Sequence, residues 1–154
     1  MLVMTAKVDK KKIAIILGAI ILAVIGLVAL LGQGDSVPTG SISVASNEDR
    51  VNFLSSFGWE VTNSPVESSQ VRIPENSSEV FDRYNALQKS QGYDLSSHAG
   101  DTVMRYVYQI NNYPGATEPV YATILISKNQ VIGGDITDTA ARGVIRGFKM
   151  PSSK

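Results

Sequence analysis

The only histidine of the chain, His98, lies in Asp94-Leu95-Ser96-Ser97-His98-Ala99-Gly100-Asp101, so hydroxyls, an imidazole and two carboxylates share one short segment. These residue types are the parts of an activated nucleophile, in which a serine hydroxyl bonds one ring nitrogen and a carboxylate the other. Neighbours within one loop seldom reach that geometry, because they must converge on opposite sides of a single ring. His98 is therefore read as a surface histidine, with Asp94 and Asp101 as candidate binding residues and no catalytic residue assigned. No metal is expected, since a lone His in a chain without Cys leaves only carboxylates as charged partners.

Asp135 and Asp138 form a second candidate, flanking Ile136-Thr137 just after Gly133-Gly134, where missing side chains let a ligand approach the backbone. The simpler expectation is that Asp135 ends a strand and Asp138 caps a following helix. A calcium loop of the EF-hand kind needs further oxygen ligands at fixed spacing, and they are missing. Tyrosines at 84, 93, 106, 108, 113 and 121, with Trp59, could line a groove for sugar or peptide. Tyr106 and Tyr108 are more simply one strand face packed under a helix. The chain has no phosphate loop, nucleophile elbow or zinc pattern, and no cofactor is implied.

The elements that must hold these residues follow from periodicity. Ser46 and Asp49 make a capping box for a helix whose stripe is Val51, Leu54 and Phe57, or Phe53 and Phe57, and Gly58 is placed to stop it. Trp59 to Val61 reads as a short strand and Val66 to Ile73 as another. Asn76 is the expected cap of a second helix, with Glu79 at its third position, Val80, Tyr84, Leu87 and Gln91 along one face, and Gly92 ending it. Thr102 to Ile110 alternates in the manner of a strand. Val120 to Ser127 and Gln130 to Ile136 are two more, joined across Lys128-Asn129, and Gly133-Gly134 predicts a bulge or a close backbone approach. A short helix from about Thr139 to Arg146 is expected to close the domain. The order α-β-β-α-β-β-β-α predicts an α+β domain, an antiparallel sheet with helices packed on one face.

The N-terminal part is of another kind. Ile13 to Leu31 is an uncharged apolar run of nineteen residues, which as a helix reaches roughly 28 Å, close to the ~30 Å hydrocarbon core of a bilayer. Residues 13–31 are thus expected to form a transmembrane helix with the lipid bilayer as its partner. Lys7, Lys10, Lys11 and Lys12 against Asp9 give the preceding residues a net charge of +3. Basic flanks stay on the cytoplasmic side, so residues 1–12 are expected as a cytoplasmic tail and the C-terminal domain as extracytoplasmic. A cleaved signal peptide, which would release a secreted domain, is the alternative. It requires a shorter apolar region and a small-residue site just after it, where Gly32-Gln33-Gly34 stand instead.

Residues 32–46, rich in Gly and Ser, read as a flexible linker, and residues 47–150 are enough for one small domain. From Asp35 onward there are ten Lys/Arg against thirteen Asp/Glu, so no nucleic acid partner is expected. Without Cys the domain rests on its core rather than on disulfides.

Through Phe53-Leu54-Ser55-Ser56-Phe57-Gly58-Trp59-Glu60-Val61, Tyr84-Asn85-Ala86-Leu87-Gln88 and Gln91-Gly92-Tyr93-Asp94-Leu95, the chain resembles a bacterial family known as domain of unknown function 4830. The resemblance continues in Arg105-Tyr106-Val107-Tyr108, Asn112-Tyr113-Pro114-Gly115 and Val131-Ile132-Gly133-Gly134-Asp135, and spans roughly residues 47 to 148. It implies a membrane-anchored domain with a lysine-flanked span before it, and supplies no catalytic residues. The expected function is a non-catalytic binding or interaction domain at the cell envelope, its partner an envelope protein or ligand. The alternative is a small envelope hydrolase using the His98 loop.

Overall fold

The computed structural model describes residues 42–152. The expected tail 1–12 and transmembrane helix 13–31 lie outside the described residues, among which no helix is long and apolar enough to cross a membrane. Of the expected linker 32–46, the described end is fastened to the domain. Val44 is buried, its N–H donates to Asn129 O at 2.7 Å, and Ser43 bridges Gln130.

Helix α1 (Asn47–Ser55) starts as the capping box predicts: Ser46 Oγ accepts from Asp49 N at 3.0 Å and Asp49 Oδ2 accepts from Ser46 N at 2.8 Å. Strand β1 (Glu67–Arg72) leads to helix α2 (Glu79–Ser90) and a 3₁₀ turn (Leu95–His98). Strands β2 (Thr102–Ile110), β3 (Val120–Ser127), β4 (Gln130–Asp138) and β5 (Ile145–Arg146) follow. All five strands form one antiparallel sheet in the order β1-β2-β3-β4-β5. The domain is therefore α+β, with a five-stranded antiparallel sheet and two helices.

Register decides which residues share a face. Val107, Thr123 and Asp135 lie opposite one another across β2, β3 and β4, and the next row is Tyr108, Ala122 and Ile136 on the other face. The Tyr108 face carries Phe53 and Leu54 of α1 together with Trp59 and Phe148. The opposite face carries Phe81 and Tyr84 of α2 with Ile73 and Leu95. The expected single helical layer is thus corrected: α1 and α2 cover opposite faces, because both rows of the sheet are apolar enough to need a cover.

Three local expectations also change. Trp59 to Val61 is no strand. Val61 makes only an isolated bridge to Ile110, while Trp59 is pulled into the core, where its indole N–H donates to Phe148 O at 2.6 Å. Helix α2 is capped by Ser78, whose Oγ accepts from Phe81 N, rather than by Asn76. The closing helix at Thr139 to Arg146 is absent, since Asp138 N bonds Val144 O and Ile145 pairs with Thr137 as β5. Asp138 accordingly caps no helix; its Oδ1 accepts from Ala140 N at 2.9 Å in the turn between β4 and β5.

The Lys128-Asn129 turn has both residues at positive φ, 49° and 62°, the geometry of a tight two-residue hairpin. The glycine pair serves both predicted purposes. The β3–β4 register shifts between Leu125 and Ile126, and Gly134 N donates to Gln88 Oε1 of α2 while Gly134 O accepts from Nε2 of Gln91, the residue that caps the end of α2. A Cβ on Gly134 would sit 2.2 Å from Thr123 O and 2.4 Å from Phe148 Cζ.

Candidate functional site

Between α2 and the sheet lies a cavity of about 280 Å³, walled by apolar side chains that include Val71, Phe81 and Leu125, with Tyr84, Arg105 and Asp135 also in its lining. Phe81, Tyr84 and Gln88 recur at helical spacing and so project from α2 toward the sheet. Asp135 and Thr137 project toward α2 from alternate positions of β4, beside Thr123 of β3.

Asp135 is wholly buried. Tyr84 donates its hydroxyl to Asp135 Oδ1 at 2.7 Å, and Thr137 donates to Oδ2 at 2.6 Å. Burial pushes the Asp135 carboxyl above the usual carboxylate range, against the opposing pull of both hydroxyls and of Arg105. Burial likewise holds the Tyr84 phenol well above its ordinary value, and the adjacent Asp135 adds to the rise. Arg105, on the same face of β2, donates from Nη1 to Glu67 Oε1 of β1 at 2.6 Å. Its Nη2 is buried without a partner.

Of the carboxylate and histidine candidates from the sequence, only Asp135 belongs to this cluster, joined there by Tyr84 of the tyrosine set. The sequence reading placed Asp135 at the end of a strand, whereas it lies within β4 and under a helix. Asp94 caps the 3₁₀ turn, accepting from Ser96 N at 3.0 Å and Asn85 Nδ2 at 2.9 Å, and also from the Ser96 hydroxyl. Those bonds, led by the Ser96 hydroxyl and then Asn85, hold its carboxyl well below the usual range. His98 Nδ1 lies 3.4 Å from Asp101 Oδ2 in a partly exposed pair. The hydroxyls of Ser96 and Ser97 both turn to Asp94, at its carboxylate and its carbonyl oxygen. No hydrogen bond joins either serine to His98, so this loop assembles no nucleophile–base–acid chain.

Sequence reasoning missed Arg105 and Glu67 as site residues, and had Tyr84 only as one of the tyrosines that could line a groove. One signal was present: Arg105 stands between Val103 and Val107 in a row that the sheet buries, where a charge requires a partner. Among the described residues, no group of three or more His, Cys, Asp or Glu is placed to hold a metal ion.

Fold and site together define a small α+β domain with a helix-covered cavity over a buried polar cluster. Residues 53–136, 84 of the 154, match the family described as Domain of unknown function (DUF4830), and the chain belongs to that family. No curated protein and no solved structure matches the chain.

Proposed function

We propose that this protein is a single-pass membrane protein whose outer domain binds a small molecule beneath α2 and does not transform it. The observation that carries the binding role is the cavity itself, whose apolar walls meet the Asp135–Tyr84–Thr137 and Arg105–Glu67 cluster. Small-molecule sites are of this kind, mostly apolar with a few fixed polar groups. Anchoring is supported by the apolar run Ile13 to Leu31 and its lysine flank, which also favour an extracytoplasmic domain at the cell envelope.

A hydrolase built on the His98 loop has less support, because its hydroxyls serve as turn-forming groups of Asp94. Two measurements test the proposal. A C-terminally tagged chain in wall-stripped cells should be digested by added protease while staying membrane-bound with its original N-terminus. Protection from protease would reverse the topology, and a new N-terminus would mean release. Titration of the methyl-labelled full chain with small apolar fragments should shift the signals of Val71, Leu95 and Leu125. If no fragment moves them, the cavity is not a binding site.

A further inference from the structure

Three polar side chains that border the cavity are closed to bulk water, Arg105 at 5% exposed, Thr123 at 3% and Asp135 at 0%, whereas Tyr84 is partly buried and Ser78 is exposed at the rim. Each oxygen of Asp135 accepts a hydroxyl, and Arg105 Nη1 is engaged with Glu67. Arg105 Nη2 is buried without a partner. Glu67 Oε2 and Gln88 Nε2 are also unpartnered, but neither residue lines the cavity. A buried donor without an acceptor is costly, so an acceptor reaching Nη2 supplies a bond that the protein alone does not make.

Charge adds a second constraint. Arg105 and Glu67 cancel as an ion pair, and Asp135 contributes either no charge or one negative charge, so the cluster is never net positive. An anion entering it loses hydration without gaining a compensating charge. A cation meets the guanidinium and leaves Nη2 unpaired, since an ammonium has only donors to offer. A neutral acceptor avoids both penalties.

Resting on the binding role proposed above, we infer that the site takes a neutral, largely apolar molecule with a carbonyl-type acceptor. The acceptor pairs with Arg105 Nη2, and the apolar body packs against Val71, Phe81 and Leu125.

Four probes sharing one body separate the possibilities: 3-phenylpropanamide, 3-phenylpropanoate, 3-phenylpropylammonium and propylbenzene. They are titrated against the methyl-labelled full chain in lipid nanodiscs, with empty nanodiscs as the reference for partitioning. The amide is expected to shift the Val71 and Leu125 methyl signals with at least about tenfold higher affinity than the other three, the worth of one charge-assisted hydrogen bond. Arg105→Lys keeps a cation toward Glu67 but lacks the second nitrogen, and should lose the preference for the amide over propylbenzene.

Equal affinity for amide and propylbenzene in the native chain would overturn the acceptor while leaving a binding cavity. A preference for the propanoate or the ammonium would overturn neutrality. Absence of any shift would overturn both this inference and the binding role. The native-chain titrations decide the matter even if Arg105→Lys does not fold.

Discussion

The same strands of one sheet build two unlike halves of this domain. Under α1, Phe53, Phe57 and Phe148 meet edge-on or tilted with centroids 5.0–5.5 Å apart, and Trp59 stacks on Tyr113 at 5.7 Å. Polar atoms on that side are few: Arg50 Nε donates to the Tyr108 hydroxyl, Tyr108 donates to Asn47 Oδ1, and Arg146 Nε, near the Tyr113 ring, is buried without a partner. Under α2 the interior holds Asp135, Arg105 and Gln88 beside a cavity. Close packing of apolar groups is what stabilises a small domain, whereas buried charge and unfilled space cost stability. The difference teaches a division of labour in which the α1 face carries stability and the α2 face carries the site.

The most severe test of that division lies on the α1 face. Phe148→Ala removes a ring that is 1% exposed, and a loss of about 3–5 kcal/mol is expected. Urea unfolding followed by Trp59, the only tryptophan, measures it. A loss below about 1 kcal/mol would mean that the two faces are not unequal in this way.

Gly134→Ala comes next, because its Cβ overlaps Thr123 O and the Phe148 ring. A cost of about 1–3 kcal/mol is expected. The double variant with Phe148→Ala should cost less than the sum of the two single variants, since the smaller side chain relieves part of the overlap.

On the α2 face, Tyr84→Phe takes one donor from the buried Asp135 carboxylate, and about 1–3 kcal/mol should be lost. Asp135 also predicts a pH dependence. Its folded-state value is raised, so the native state holds the proton to higher pH than the unfolded chain does. The stability from that excess binding is full below the unfolded value of about 3.9 and is lost as pH rises through the folded value. Asp135→Asn should therefore gain on the native protein as pH increases from about 4 upward, read as the difference between two series of denaturation midpoints. A difference that does not change with pH would show that Asp135 does not titrate in that window.

The smallest effect belongs to His98. His98→Ala removes a partly exposed pair with Asp101, and a change within about 0.5 kcal/mol is expected, with no effect on fragment binding. Loss of biological activity in this variant, with folding intact, would restore the hydrolase reading of the loop.

Much of the local structure was legible because it depends on near neighbours. The Ser46–Asp49 box, the stop signals at Gly58 and Gly92 and the Lys128-Asn129 turn are settled within a few residues of each other. Strand β2 was legible from alternation, and β3 and β4 as runs joined across the Lys128-Asn129 turn. Trp59 to Val61 and Thr139 to Arg146 were not, because distant partners decide them: Phe148 O captures the Trp59 indole, and Thr137 pairs with Ile145.

The site was legible only in part for the same reason. Asp135 stood out beside its glycines, but Tyr84 and Asp135 are separated by 51 positions and Glu67 and Arg105 by 38. By itself the sequence determined the apolar character of residues 13–31, the Ser46–Asp49 cap of α1 and the two alternating rows of β2, since composition and short-range spacing suffice for these. Only the tertiary structure decided that α1 and α2 take opposite faces, and that the row holding Arg105 and Asp135 becomes buried against α2. Alternation assigns residues to two faces, and packing against distant elements then determines which face closes over a polar cluster and which closes dry.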